Sequence, residues 1–397
     1  MNTEIVASYD ALPALCERVA NAPRVGLDTE FHAERTYAPR LMVVQLAFED
    51  GAVVVDPIAL PDLDTLSLAL GETTVVGHAL SSDLKILADR FGRVPSRVFD
   101  CQVAGAFLGY GMQVSLADLV RDICKVRLAK TQTVSDWSSR PFTPKQIDYL
   151  VDDVNYLFAM QDALTERLSA SGRIEWALAE SAQLGQMERY LPDERRGLLR
   201  ISGSNRMNRR ELGVLSQLLS LRDKIARDRD IPPKYVLPDD VVAGLATLRP
   251  KHLDDLAQLR RLDAGMRRNL GDGILAAVER GEAIPDDQLP EKPARPLGNS
   301  RETLVALLGV AAGEIAREHD LPQSLVVPRA SLERVAREIP STREALERSL
   351  GVDGWRLGLI GEPLWRLLSG EGVARVEGYL EGDPKIVFSH DRERQEL

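Results

Sequence analysis

The stretch Leu27-Asp28-Thr29-Glu30-Phe31 constrains this chain more than any other. Arg24-Val25-Gly26-Leu27 is a short apolar approach, and a second apolar run, Leu41 to Phe48, lies just downstream. The pattern predicts two neighbouring strands with the acidic pair at the end of the first. Residues two apart in a strand point to one face, so Asp28 and Glu30 are expected side by side against an apolar sheet. Two close carboxylates repel and resist desolvation unless a cation lies between them. Hard oxygen ligands favour Mg²⁺ or Mn²⁺. Alone, an Asp-x-Glu reads first as a solvated turn after a strand, so the rest of the chain has to decide.

The 397 residues suffice for two or three domains and a sizeable core. No basic-then-apolar leader and no apolar run of membrane-spanning length is evident, which points to a cytoplasmic protein without a membrane partner. Cys16, Cys101 and Cys124 follow no metal-ligand spacing and read as reduced core thiols. No zinc signature and no Gly-x-x-x-x-Gly-Lys loop is present, which argues against ATP-driven chemistry.

The net charge of −10 is unevenly spread. Residues 1–100 carry 15 acids and 8 bases, whereas residues 195–234 carry 11 bases and 4 acids. An acidic N-terminal region suits a metal site and a basic middle suits a polyanion, with a solvated helix face as the other reading of the basic stretch.

Short strand-like runs alternate with helical patterns through residue 100: Ile5-Val6-Ala7, Val25 to Asp28, Leu41 to Phe48, Ala52 to Val55 and Thr74 to Gly77, with helices over 11–20 and 82–90. This is an α/β domain with a mixed sheet. From about residue 101 the strand signal ends and helices over 101–109, 115–124 and 144–170 follow, with a trailing helix towards residue 190. The first domain is therefore placed at 1–190. The remainder repeats itself. Ile225-Ala226-Arg227-Asp228-Arg229-Asp230-Ile231-Pro232 leads to Val236-Leu237-Pro238, and Ile315-Ala316-Arg317-Glu318-His319-Asp320-Leu321-Pro322 leads to Val326-Val327-Pro328. Two small all-α domains are expected at 206–284 and 298–382, joined by a Pro-rich, charged linker (284–296) and followed by a charged, frayed tail at 383–397.

Asp83 follows the apolar run that ends at Gly77 and falls in the first turn of a helix, where a carboxylate is also a common cap or dipole partner. Tyr149 and Asp153, four apart, share a helix face beside an apolar stripe of Leu150, Val154 and Leu157. Tyr149 also reads as a core tyrosine with its hydroxyl at the edge. Each signal is weak alone. Together, an acidic pair on a strand, an acid opening a later helix and a Tyr-x-x-x-Asp on a helix resemble the 3'→5' exonucleases with four acidic residues and a tyrosine, and most closely the ribonuclease D family. The likeness extends through Arg35-Thr36-Tyr37, Pro39, Leu41, Val44-Gln45-Leu46, Phe99-Asp100-Cys101-Gln102 and Ser135-Asp136-Trp137-Ser138-Ser139-Arg140-Pro141. The two repeats resemble the helicase-and-ribonuclease-D C-terminal (HRDC) domain. Asp148 stands where a histidine-using branch would have its His, which places the chain in the tyrosine branch.

The resemblance implies a ribonuclease H-like mixed sheet with flanking helices, two HRDC-like domains, and a monomer. It implies two divalent ions, Mg²⁺ or Mn²⁺, held by Asp28, Glu30, Asp83 and Asp153. Asp28 would bridge them, and Tyr149 would orient the attacking water. The implied reaction releases nucleoside 5'-monophosphates from RNA 3' ends, precursor tRNA among them. Candidate RNA contacts are His78, Phe31, Tyr37, Arg209 and Arg210. His78 also reads as a packed strand-end residue, Phe31 and Tyr37 as core, and Trp137 as a loop anchor. A chain cut after about residue 190 is expected to keep its activity on short strands. A DNA-preferring exonuclease is one rival. A non-catalytic RNA-binding scaffold is another, and the presence of all four acids with the tyrosine argues against it.

Overall fold

In the computed structural model, residues 2–128, 136–292, 297–352, 354–377 and 385–390 are described. The chain opens with β1 (Asn2–Val6), α1 (Leu12–Asn21), β2 (Arg24–His32), β3 (Arg40–Phe48), β4 (Gly51–Val55), α2 (Asp64–Gly71), β5 (Thr74–Gly77), α3 (Ser81–Phe91) and β6 (Arg97–Asp100). The six strands form one sheet in the order β1-β4-β3-β2-β5-β6. Only β3 runs against the others. The expected α/β mixed sheet is therefore present. The strand β2 is longer than the sequence suggested. Pairing with β3 continues to His32 opposite Arg40 through an irregularity at Glu30 and Phe31. The acidic pair thus lies within the strand. The short β6 and α2 were not foreseen.

Helices α4 (Cys101–Ala106), α5 (Leu116–Cys124), α6 (Pro144–Asn155), α7 (Leu157–Ala170), α8 (Ile174–Ala182) and α9 (Glu194–Arg200) complete this region. The predicted helix over 144–170 is two, parted at Tyr156. Ser135, the first residue of one matched motif, lies outside the described residues, as do 293–296 of the linker. Cys101 is buried as expected, whereas Cys16 and Cys124 are only partly so.

The repeat is plain in three dimensions. The first copy is α10 (Arg209–Asp228), α11 (Pro233–Val236), α12 (Asp239–Leu248) and α13 (Ala264–Glu282). The second is α14 (Asn299–Glu318), α15 (Gln323–Val326), α16 (Arg329–Glu338), α17 (Arg343–Leu350) and α18 (Gly354–Ser369). Both use left-handed turns at matching places: Asp230 and Asp320 have φ of 48° and 50°, and Arg249 and Ile339 have 50° and 49°. The strand signal does not end at residue 101. β7 (Gly372–Glu377) pairs antiparallel with β8 (Lys385–His390). For residues 385–390 this corrects the reading of a frayed tail: Ile386-Val387-Phe388 is a β-forming run that the surrounding charges obscured. Residues 383–384 and 391–397 lie outside the described residues.

The second copy shares one apolar core with the sheet domain. Trp355 stacks on Trp176 at 4.9 Å and meets Phe107 edge-on at 5.3 Å, while Arg356 bonds Glu180 and the Leu325 carbonyl. The first copy has a core of its own, and polar contacts tie it to the β2–β3 loop.

Candidate active site

β5 pairs with β2 only over Arg24–Gly26. Beyond that point, among the described residues, no strand pairs with the β2 edge, and the chain leaving β5 turns there into α3. Gly77 permits the turn, because a Cβ would stand 2.8 Å from the Leu27 carbonyl oxygen and 2.3 Å from Leu80. Ala79 follows with φ of 58°. Asp100 locks this geometry. Its carboxylate accepts the N–H groups of Ala79 at 3.1 Å and Leu80 at 2.9 Å, and caps α4 through those of Gln102 and Val103.

The result brings Asp83, on the first turn of α3, against β2. It is buried and accepts a hydrogen bond from the Thr29 hydroxyl. It does not cap its helix: among the described residues no side chain does. From the other side comes α6, started by Pro144 and by a reciprocal Thr143–Gln146 capping box. Leu150 and Val154 anchor α6 in the core, which sets Tyr149 and Asp153 over β2. Ligand oxygens of Asp28, Glu30 and Asp153 all lie within 4.8 Å of one another. Asp83 is outside this tight group, but its charge acts on both Asp28 and Glu30.

The electrostatics are those of a site short of positive charge. Burial, then the charges of Asp83, Asp153 and Glu30, drive the Asp28 carboxyl well above the usual range. Burial, then Asp153 and Asp83, push Glu30 up to about 8, against a pull from the Trp137 indole. Burial raises Asp83 to about 6, against its Thr29 hydrogen bond. Burial raises Asp153 to about 7, opposed by the Tyr149 hydroxyl. Tyr149 in turn rises well above an ordinary phenol through burial and then Asp153, Glu30 and Asp28. Asp153 Oδ2 is buried without a hydrogen-bond partner among the described residues. Hard oxygens crowded together, with one left over, fit a divalent cation.

Three contributors were missed as site residues. Gln45, directly opposite Asp28 and fully buried, donates to Asp28 Oδ2 at 3.3 Å. An uncharged polar residue inside an apolar strand is costly unless paired, so Gln45 was detectable. Thr29 holds Asp83. Trp137, read as a loop anchor, sits under the site: its ring lies 5.7 Å from that of Tyr149. Arg140 fixes its segment by gripping both Asp56 oxygens at 2.6 and 2.7 Å and the carbonyls of Trp137, Ser139 and Met42.

The proposed RNA contacts fare differently. Phe31 lines a cavity beside the site. His78 is engaged at home: its Nε2 lies 3.0 Å from the Val114 carbonyl, which Gln102 also bonds, and burial lowers its pKa. Tyr37 is no free stacking platform, because its hydroxyl donates to Asp223 of α10 at 2.6 Å. Arg209 and Arg210 also have partners within the chain. Arg209 donates to the Leu289 and Pro290 carbonyls, and Arg210 to those of Gly281, Glu282 and Ile284 and to Asp286. Both fasten the end of α13 and the linker to α10. Arg222 and Arg227 of the basic stretch are likewise paired, whereas Arg206, Lys224, Arg229 and Lys234 are exposed.

Four acids from three elements stand here with a tyrosine one helical turn before the last, and the 3'-5' exonuclease family matches residues 3–169 while the HRDC domain matches 211–278 and 304–368. Ribonuclease D of Gluconacetobacter diazotrophicus is 34% identical over 94% of this chain and 95% of that protein. Ribonuclease D of Escherichia coli is 28% identical. Its crystal structure, described as that of an exoribonuclease involved in structured RNA processing, superposes with a TM-score of 0.79 over 93% of this chain and 99% of that one. The chain belongs to the ribonuclease D family and is a 3'→5' exoribonuclease. The family implies dependence on divalent metal. Among the described residues no helix is long and apolar enough to cross a membrane.

Proposed function

We propose that this enzyme trims the 3' ends of structured RNAs, precursor tRNA among them, one nucleoside 5'-monophosphate at a time, in the cytoplasm and as a monomer. Two divalent ions, Mg²⁺ or Mn²⁺, would be held by Asp28, Glu30 and Asp153 on one side and by Asp28 and Asp83 on the other. The observation that carries this reading is the knot of three carboxylates within 4.8 Å, one oxygen unpartnered, beside Tyr149. Such ions supply Lewis acidity and neutralise charge that develops on a phosphodiester.

The chain's own residues do the rest. Gln45 and Thr29 hold Asp28 and Asp83 in place. The Tyr149 phenol, raised by burial and then by the acids around it, keeps its proton at neutral pH. It therefore acts as a hydrogen-bonding group that orients the attacking water, not as a base. Trp137 backs Tyr149 and steadies Glu30. The E. coli relative's role in structured RNA processing and the exposed cations Arg206, Lys224, Arg229 and Lys234 support a large, folded polyanion as substrate.

The test is a 5'-labelled RNA oligomer and its DNA counterpart, each with Mg²⁺, Mn²⁺ or a chelator. A metal-dependent ladder shortened from the 3' end, faster on RNA, is expected. Internal cuts, or equal rates with the chelator, would sink the reading.

A further inference from the structure

The loop over residues 33–39 joins β2 to β3 directly past Glu30 and Phe31. Its own domain does little to hold it: the internal tie is Thr36 Oγ1 to the Ala38 carbonyl at 2.7 Å, and Ala33, Glu34 and Arg35 are exposed. The first helical repeat holds it instead. The Tyr37 hydroxyl donates to Asp223 at 2.6 Å and accepts from Arg227 at 3.1 Å. The Tyr37 backbone N–H donates to Asp230 at 3.2 Å, and Arg40 bonds the other oxygen of that carboxylate. The Tyr37 ring packs against the apolar core of the repeat, under the Arg227 guanidinium at 5.3 Å.

Pro39, the last residue of this loop, lines a cavity of about 630 Å³. Phe31 of β2, Ser82 and Lys85 of α3, and Arg189 and Tyr190 line it as well. None of the four site carboxylates lines this cavity, but Phe31 and Ser82, which do, respectively follow Glu30 and precede Asp83 in the chain. Its size is that of a small-ligand site. It offers an aromatic surface for a base and cations for a phosphate. Glu188 and Asp193 also line it, and Lys85 is paired with Asp89. Arg189 is thus the stronger phosphate candidate.

We propose that Tyr37 is a positioning residue, through which the first helical repeat fixes the wall of the cavity that takes the nucleotide next to the scissile one. This rests on the reading that an RNA 3' end enters the site. It reverses the expectation that a chain cut near residue 190 is intact on short strands. The repeat contributes to the reaction of strands too short to touch it.

The test uses the full chain with Tyr37→Phe, Asp223→Ala and the two combined, a 5'-labelled trinucleotide RNA, and saturating Mg²⁺. Asp223 lies on the repeat, outside the cavity. Each single change should raise KM about tenfold with kcat within about twofold, and the pair should be no worse than either alone, because both break one bond. Amide exchange across residues 33–39 should quicken while the melting temperature moves by only a few degrees. Unchanged trinucleotide KM, with loss confined to long RNA, would overturn the proposal, as would multiplicative losses in the double variant. A wild-type enzyme that leaves the trinucleotide intact would instead sink the functional reading beneath it.

Discussion

Two kinds of carboxylate stand in the same domain, and they are treated in opposite ways. Asp100 is 1% exposed and accepts four backbone N–H groups. Asp56 is 5% exposed; burial pushes its pKa up, but the Arg140 guanidinium and two backbone amides bring it below the usual range. Asp28, Glu30 and Asp153 receive less: a neutral side-chain donor each, from Gln45, Trp137 and Tyr149. They face one another, their pKa values are driven up, and one oxygen is left over. A chain that satisfies some buried acids completely and leaves others crowded has reserved the second group for something that arrives later. Burial alone separates nothing here; the partners do.

The contrast is broken most readily at its extremes. Asp28→Asn should cut RNA hydrolysis by on the order of 1,000-fold or more, about 4 kcal/mol of barrier, while the metal-free protein becomes no less stable. Parallel urea titrations and initial rates check both halves. A variant that loses stability along with activity would put Asp28 in the class of Asp100. The mirror experiment is Asp100→Ala, which takes the acceptor from four backbone donors, one buried and three part-buried. It should lower unfolding free energy by about 3 kcal/mol, and activity should fall only as folded protein is lost. A stable but inactive Asp100→Ala protein would erase the distinction.

Tyr149→Phe tests the crowded group at its rim. Losing one orienting hydrogen bond should slow turnover about 100-fold and leave RNA affinity in Ca²⁺ nearly unchanged. Single-turnover rates equal to wild type would return Tyr149 to packing. The smallest effect concerns pH. Folding raises Asp83, Asp153 and Glu30 from ordinary values of 3.8, 3.8 and 4.5 to about 6, 7 and 8. The folded state thus binds more protons than the unfolded one, and their stabilisation is present below about pH 4 and lost as pH climbs through 8. Metal-free wild type should lose about 1–2 kcal/mol relative to Asp28→Asn across that window, after solvent screening. Added Mg²⁺ should stabilise more at pH 8 than at pH 5. A flat difference curve would show that the acids do not repel as placed.

The sequence offered Asp28, Glu30, Asp83 and Asp153 as a set only through a family resemblance, each signal being weak alone; the structure brings Asp28, Glu30 and Asp153 within 4.8 Å of one another and buries Asp83 against Thr29. What the sequence could not carry was partnership across the chain. Arg209 and Arg210 look like RNA contacts in a basic run, yet the carbonyls they bind lie about 70–80 residues away. Tyr37 meets Asp223 at a separation of 186 residues. Trp137 reaches Tyr149 only because Arg140 folds its segment onto Asp56. Local pattern reveals what a residue offers, and long-range folding decides whether that offer is already taken. The C-terminal hairpin was missed for a different reason, since its six-residue strands are short against a charged background.

The strand β2 carries one more consequence. From Leu27 onward, among the described residues, no strand pairs with its outer edge, because β5 stops pairing at Gly26. The edge is still not open to another chain: Asp83 of α3 closes over it through the Thr29 hydroxyl, and Leu27 and Thr29 are buried. A covered edge cannot serve as a template for a second copy, so the helix that delivers a carboxylate to the site also guards the strand.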